Sequence, residues 1–244
     1  MKKIVKFMVF AILFPTLIVS TMLLTYLHFF ASGDKNLSGE WTAKLDMTEQ
    51  AAVTALGWLQ DIEAVSVSMQ DMESHMQGLT IEMNLTLEQT AKDEGTFRCN
   101  VLTESYNTCN EAAYEAFASV FRELVSERLR AAGYTGSTDE KTIESLVTKT
   151  FGMSTVTYLM SCGPELLPSL EDLQAQYDGS GTYQTTEDVF TRQFDDGESV
   201  ITKVEYYIRK DTSLILSADA DPAALGYFSD HYPVIYTLRH AENE

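Results

Sequence analysis

The side chains best able to do chemistry are few and scattered in this sequence. No two of its four histidines stand at H-x-x-x-H spacing, and neither a C-x-x-C pair nor a G-x-S-x-G turn occurs. These are the stronger signatures of a metal site and of an activated nucleophile. No run of carboxylates has the spacing of a calcium-binding loop. The sequence therefore predicts no catalytic residue, no metal site and no cofactor, and a protein that is not an enzyme.

The three cysteines are Cys99, Cys109 and Cys162. An odd number allows at most one internal pair, and a disulfide between Cys99 and Cys109 would join a predicted hairpin to the helix after it. The alternative is three small buried thiols. An oxidising exterior would favour the disulfide.

The charge of the chain is distributed unevenly. Of its 17 basic residues, Lys2, Lys3 and Lys6 are the only charged residues before Asp34. Residues 34–244 therefore hold 14 basic and 36 acidic residues, a net charge of −22. A surface this negative repels phosphate backbones, which argues against nucleic acid as a partner. The same acidity keeps an exported domain soluble and would attract cations or a cationic polymer.

Residues 7–33 contain no Lys, Arg, Asp or Glu. An apolar helix needs about 20 residues to cross a bilayer, so this segment is predicted to be a transmembrane anchor. Because the basic cluster precedes it, the N-terminus is expected in the cytoplasm and residues 34–244 outside, as a single-pass protein of the cell membrane. The alternative is a cleaved signal peptide ending near Gly33, although its apolar core would be about twice the usual 7–15 residues.

Periodicity predicts one domain over 34–244, with strands near its beginning. Apolar and polar residues alternate over 37–47, as expected for a strand with one buried face. A second alternating stretch, 79–102, has a polar turn near its middle and predicts a β-hairpin.

Helical patterns occupy the stretches between the predicted strands. Apolar residues recur at helical spacing from 49 to 76 and again over about 104–178. Ser137 and Glu140 form a capping box at the start of the second helix in the later block, and Gly163 ends that helix. The block is therefore predicted as a large insertion between strands of one sheet, and the fold class as α+β.

The C-terminal third, 181–239, is predicted to be a run of antiparallel strands. Along 200–208 the even positions are apolar, aromatic or threonine, whereas the odd positions include Lys203 and Glu205. This alternation predicts a strand whose even-numbered face is buried.

Two short motifs resemble the ends of the lipocalin-like β-barrels found in secreted bacterial proteins. Gly39 and Trp41 resemble the G-x-W of the first strand in that family. The stretch 233–239 resembles the last strand of that family, whose arginine, Arg239 in this sequence, packs over that tryptophan. Three shorter stretches resemble further strands of the family: 181–183, 206–208 and 214–216.

The resemblance implies an antiparallel barrel, or a curved sheet, that carries a large helical insertion. It also implies that Trp41 and Arg239 form a structural latch, and that a small apolar ligand binds inside the barrel. The candidate lining of such a site consists of aromatic and apolar residues on the predicted strands: Trp41, Tyr183, Tyr206, Leu216 and Tyr236.

Three functions are compatible with these features. The first is a membrane-anchored, extracytoplasmic, non-enzymatic binding module with a small apolar ligand in the barrel. The second is a cell-envelope protein-interaction domain with a filled core, whose acidic face meets a partner. The third is a surface enzyme of unknown chemistry. A cavity lined by the candidate residues would favour the first function, and a filled core would favour the second.

Overall fold

A computed structural model of the chain describes residues 36–60, 67–195, 200–218 and 234–239. These residues form a closed β-barrel whose eight strands follow one another in chain order. The predicted α+β class is confirmed, and so is the antiparallel β-barrel. The strands are β1 (Gly39–Asp46), β2 (Thr80–Ala91), β3 (Glu94–Val101), β4 (Gly179–Thr186), β5 (Val189–Asp195), β6 (Val200–Lys210), β7 (Ser213–Ser217) and β8 (Val234–Leu238).

Helices of the described residues occupy two connections of the barrel. Two lie between β1 and β2, and four lie between β3 and β4, where the sequence predicts a helical block. The helices are α1 (Thr48–Gln60), α2 (Met69–His75), α3 (Thr103–Ala131), α4 (Glu140–Phe151), α5 (Thr155–Cys162) and α6 (Leu170–Tyr177).

The second helix of this block is shorter than the sequence predicts. It ends at Phe151 because Gly152 adopts a left-handed conformation (φ 76°), which glycine reaches without strain. Ser154 then caps a new helix with its side chain. The predicted capping box is also wrong, because the side chain that caps α4 belongs to Asp139 rather than to Ser137.

The described residues belong to two compact units. The barrel unit takes its described residues from 36–42, 85–99 and 179–239, and the helical unit takes them from 43–84 and 100–178. Strands β1, β2 and β3 each contribute residues to both units. That 34–244 unfolds as one domain stays a prediction.

The buried face of β6 is the opposite of the predicted one. Val200, Val204 and Ile208 on the even-numbered face are 69%, 61% and 45% exposed, whereas Glu205 and Tyr207 on the odd-numbered face are buried. The in-register partners of these two residues on β5 and β7 are buried as well. The odd-numbered face is therefore the inner one, and it brings charged side chains inside the barrel.

Large side chains are buried on the inner face of every strand of the barrel unit. The Phe190 ring centroid lies 5.2 Å from that of Tyr183 and 6.1 Å from that of Tyr207. The rings of Phe97 and Phe194 meet edge to face at 4.9 Å. The largest buried residues of this unit are Leu37, Trp41, Leu85, Leu87, Phe97, Tyr183, Phe190, Tyr207, Leu214, Leu216 and Tyr236.

The predicted membrane anchor, 7–33, lies outside the residues that the structure describes. Within the described ranges, no helix combines the length and the apolar composition needed to cross a bilayer. The anchor and the extracellular location therefore stay predictions.

Candidate functional site

The structure places the candidate lining residues on two different faces of the barrel strands. Trp41, Tyr183, Leu216 and Tyr236 are all buried on the inner face, with at most 2% of their surface exposed. Tyr206 stands on the even-numbered face of β6 and is only half-buried, while both of its sequence neighbours are buried. The first four residues share the interior, and Tyr206 belongs to the outer surface.

The cation over Trp41 comes from β6 rather than from the end of β8. The guanidinium of Arg209 lies 6.0 Å from the centroid of the Trp41 ring and donates to the backbone carbonyl of Asn36. Arg239 is exposed, and its backbone amide donates to the carbonyl of Glu40 at 2.7 Å, which joins β8 to β1. Among the described residues, the cation over the Trp41 ring is therefore Arg209, whereas Arg239 reaches β1 through its backbone.

An ion pair is buried inside the barrel. The Nε and Nη2 atoms of Arg192 each donate to a carboxylate oxygen of Glu205 at 2.8 Å. Arg192 is 5% exposed and Glu205 is 1% exposed. The guanidinium carbon lies 5.5 to 5.9 Å from the ring centroids of Phe97, Phe190 and Phe194. In this bidentate pair each charge is neutralised by the other, and the aromatic rings around the guanidinium shield it from solvent.

Lys203 extends the buried pair toward the solvent. Its Nζ atom lies 3.7 Å from a carboxylate oxygen of Glu205, and its side chain is 38% exposed. Burial lowers the pKa of Lys203, and the nearby charge of Arg192 adds to that effect. Burial also disfavours the charge on Arg192, but the adjacent Glu205 outweighs it and raises the pKa of Arg192.

Tyrosine hydroxyls add further polar groups to the interior. Burial raises the pKa of Tyr236 well above its ordinary value, and its hydrogen bond with Cys99 contributes in the same direction. Burial also raises the pKa of Tyr183 to about 12. The Tyr183 hydroxyl is buried without a hydrogen-bond partner among the described residues. A Cβ atom added at Gly95 would lie only 2.7 Å from the ring of Tyr183, so position 95 requires glycine.

All three cysteines are present as thiols in the structure. Cys99 and Cys109 are buried, and Cys162 is exposed. Burial raises the pKa of Cys109 to about 11, so this thiol is a poor nucleophile at neutral pH. A disulfide between Cys99 and Cys109 stays a prediction about the oxidised protein.

The described polar groups of the barrel interior are paired or desolvated. Its carboxylate, Glu205, is bonded to Arg192, and its hydroxyls and thiol are desolvated. No group of three or more His, Cys, Asp or Glu in the described part of the chain is placed to hold a metal ion. The predicted apolar lining is interrupted by the charges of the ion pair.

A second candidate site lies in the helical unit, where four aromatic residues form a row. The Trp58 ring on α1 lies 6.4 Å from Phe121 on α3, and Phe121 lies 6.3 Å from Tyr158 on α5. Tyr158 stacks on Phe151, the last residue of α4, at 4.4 Å. We call Trp58, Phe121, Tyr158 and Phe151 the aromatic row.

The aromatic row is open to solvent along its length. Phe151 is 46% exposed, and the other three residues of the row are half-buried. Leu146 on α4 and Met160 on α5 are also exposed, at 42% and 48%. Aromatic side chains with this exposure are typical of protein contact surfaces, because they bury a large area and lose little entropy when they bind.

A hydrogen-bond network fixes the helices that carry the end of the row. The Glu144 carboxylate accepts from the amide of Thr155 at 2.9 Å, from its hydroxyl at 2.7 Å and from Arg122 at 3.2 Å. Burial alone would raise the pKa of Glu144, but these hydrogen bonds and the charge of Arg122 outweigh it, so the pKa is lowered. The network joins α3, α4 and the start of α5.

Glu144→Gln is expected to weaken the dependence of stability on acid pH. A carboxyl with a lowered folded pKa contributes stability above its unfolded pKa, near 4.5, and loses it as the pH falls through the folded value. Urea unfolding from neutral pH to below 4.5 would measure this, with Glu115→Gln on the exposed face of α3 as the control. Equal acid dependence in the variant and the native chain would contradict it.

Sequence reasoning missed both the buried pair and the aromatic row. The residues of the row belong to four different helices, and the sequence pattern of each helix places its residue in a separate apolar stripe or in none. The one available signal is that Phe121 and Phe151 lie in helices with broad apolar faces, and this does not reveal their mutual approach.

No protein-family model, no curated protein and no solved structure matches the chain. The likeness to lipocalin-like proteins therefore consists of the closed eight-stranded barrel and two short motifs.

Proposed function

We propose that the chain is a membrane-anchored, extracytoplasmic, non-enzymatic interaction protein. In this proposal the aromatic row of the helical unit contacts a protein partner, and the filled barrel is the scaffold. The aromatic row carries the proposal, because four neighbouring rings are accessible and the Glu144 network holds two of the helices that present them. Such pre-positioned rings bind without a large cost of ordering.

The acidity of the chain indicates what kind of partner fits. Residues 34–244 carry a net charge of −22. A basic partner would be drawn to this surface, and complementary charge mainly raises the rate of association. We therefore propose a partner that offers an apolar patch within a basic surface.

A small ligand inside the barrel is the second candidate. Tyr183 favours it, because its buried hydroxyl has no hydrogen-bond partner among the described residues and would suit a ligand with an acceptor atom. The charges of Arg192 and Glu205 disfavour a wholly apolar ligand at the same place. Native mass spectrometry of the full chain from its own host would detect a retained small molecule.

A photo-crosslinker at position 151 tests the interaction surface. We expect p-benzoylphenylalanine in place of Phe151 to capture one defined partner in intact cells, and raised salt to reduce the yield, because the association is charge-assisted. Tyr134 provides a matched control, since it is an aromatic residue of the same unit with 48% exposure, against 46% for Phe151. The same crosslinker at position 134 should capture little.

A variant at the centre of the row tests whether capture depends on the aromatic row. Phe121→Ala should abolish capture at position 151, because it removes the centre of the row. Equal capture at 151 and 134, or capture that survives Phe121→Ala, would contradict the interaction surface.

Protease added to the intact cells should digest epitopes beyond Asp34, and protection of those epitopes would contradict the predicted topology.

A further inference from the structure

We propose that the outer face of strands β6, β7 and β8 rests on the bilayer that residues 7–33 enter. This proposal rests on the anchor of the proposed function and adds a second, peripheral contact between the protein and the lipid. The contact surface is the apolar outer face, which we define as Val204, Ile208, Ile215 and Ile235.

The residues of the apolar outer face are neighbours across three strands. Ile208 of β6 is in register with Ile215 of β7, and Ile215 is in register with Ile235 of β8. Val204 lies on the same face of β6 as Ile208. Three of them are large aliphatic side chains with 61%, 45% and 55% of their surface exposed, namely Val204, Ile208 and Ile235. An aliphatic row of this exposure costs free energy in water.

The route of the chain brings this face close to the membrane. β1 begins at Gly39, so only residues 34–38 separate it from the predicted anchor. Five residues span at most about 18 Å when fully extended. The backbone carbonyl of Asn36, within this short connection, accepts a hydrogen bond from Arg209, the residue that directly follows Ile208. This hydrogen bond fastens the connection to the end of β6, one residue beyond Ile208, although the Arg209 side chain itself lies on the inner face of the strand, over Trp41.

Charged residues at the same end of the barrel suit a headgroup region. Lys210 and Arg239 are exposed there, at the ends of β6 and β8. Long basic side chains reach lipid headgroups while their stems lie along apolar surface. Glu40 and Asp211 are exposed at this end too, so we assign the contact mainly to burial of the aliphatic row and not to net charge.

A bilayer fits this face better than a separate protein does. The closed barrel offers no unpaired strand edge here for another chain to extend. A membrane held within the length of a five-residue connection is also present at a very high effective concentration, so even a weak contact forms.

Fluorescence quenching in lipid vesicles tests the proposal on the full chain. Cys162→Ser removes the exposed thiol, and Ile208→Cys then carries a bimane label. In phosphatidylcholine vesicles with brominated acyl chains, we expect the label to lose about half of its emission, because an interfacial contact buries groups ~5–10 Å into the headgroup and acyl boundary. Thr182→Cys, on the exposed outer face of β4, is the matched control and should lose little. Ile235→Cys is a second, independent reporter that should behave like Ile208→Cys.

The outcomes separate this proposal from the anchor on which it rests. Equal quenching at 182 and 208, or none at 208 and 235 in protein retained on the vesicles after a carbonate wash, would overturn the contact alone. A third result would also overturn the bilayer contact: a label at 208 that the brominated lipids do not quench but that iodide in solution cannot reach. That result would mean that another protein or a second copy of the chain covers the face. Release of the protein by carbonate would overturn the anchor together with the contact.

Discussion

Glu205→Ala is expected to lower the free energy of unfolding by about 3–5 kcal/mol, because it leaves the guanidinium of Arg192 buried without its counter-charge. Glu205 is 1% exposed, and both of its oxygens accept from Arg192. The aromatic rings around Arg192 attract its charge but supply no hydrogen-bond acceptors that could replace the carboxylate. Equilibrium unfolding in urea would measure the loss.

Two further variants show whether burial is the cause. Lys44 and Glu82 form an ion pair at 3.4 Å with side chains 64% and 35% exposed, so Lys44→Ala should cost only about 0–1 kcal/mol. The double variant Arg192→Met with Glu205→Leu removes both charges and should recover most of the loss. If Glu205→Ala lowers the free energy of unfolding no more than Lys44→Ala does, burial does not increase the cost of breaking the Arg192–Glu205 pair.

Trp41→Ala is expected to cost about 3–5 kcal/mol, as for other large aromatic residues removed from a core. Trp41 is fully buried, and its Nε1 donates to the carbonyl of Leu37 at 2.8 Å. The substitution therefore removes both a large packed side chain and a hydrogen bond that ties the chain before β1 to the barrel. Thermal and urea unfolding of the full chain would measure the change.

Substitution of the two arginines near the ends of β6 and β8 separates the stability that the arginine–Trp41 contact contributes from the stability that Trp41 itself contributes. Arg209→Met should cost about 0.5–2 kcal/mol through the loss of the contact with the Trp41 ring. Arg239→Met should stay within about 0.5 kcal/mol of the native chain, because that side chain is exposed. The reverse order would restore Arg239 as the latch residue.

Local alternation predicted the buried faces of β1 and β2 correctly, since Trp41 and Ile81 are both buried, but it failed on β6. On β6 the apolar residues occupy the even-numbered face, and the usual rule places them in the core. The structure buries Glu205 instead, because Arg192 stands on the neighbouring strand where it can neutralise the charge. A rule applied to one strand at a time does not include that partner, so the face of β6 and the position of Tyr206 were both misassigned.

The aromatic row shows the same limit for helices. The stripes that contain Phe121 and Phe151 were correctly predicted as helical, and a helical stripe is usually buried against a core. Here the rings of α3, α4 and α5 meet one another at a surface, held partly by Glu144. Which rings meet depends on how the helices pack, and this depends on contacts between residues far apart in sequence.

The order of the strands determines how late in synthesis the fold can be completed. β4 finds its place beside β3 only after the intervening 102–178 have been made, and β1 receives its last neighbour only when Arg239 reaches Glu40. Contacts across such long stretches of chain close slowly. Until the final strand arrives, the nascent barrel presents two open edges that other chains can extend into aggregates. The closed topology thus gives the finished barrel no such edge, so the risk of aggregation through open edges is confined to that interval.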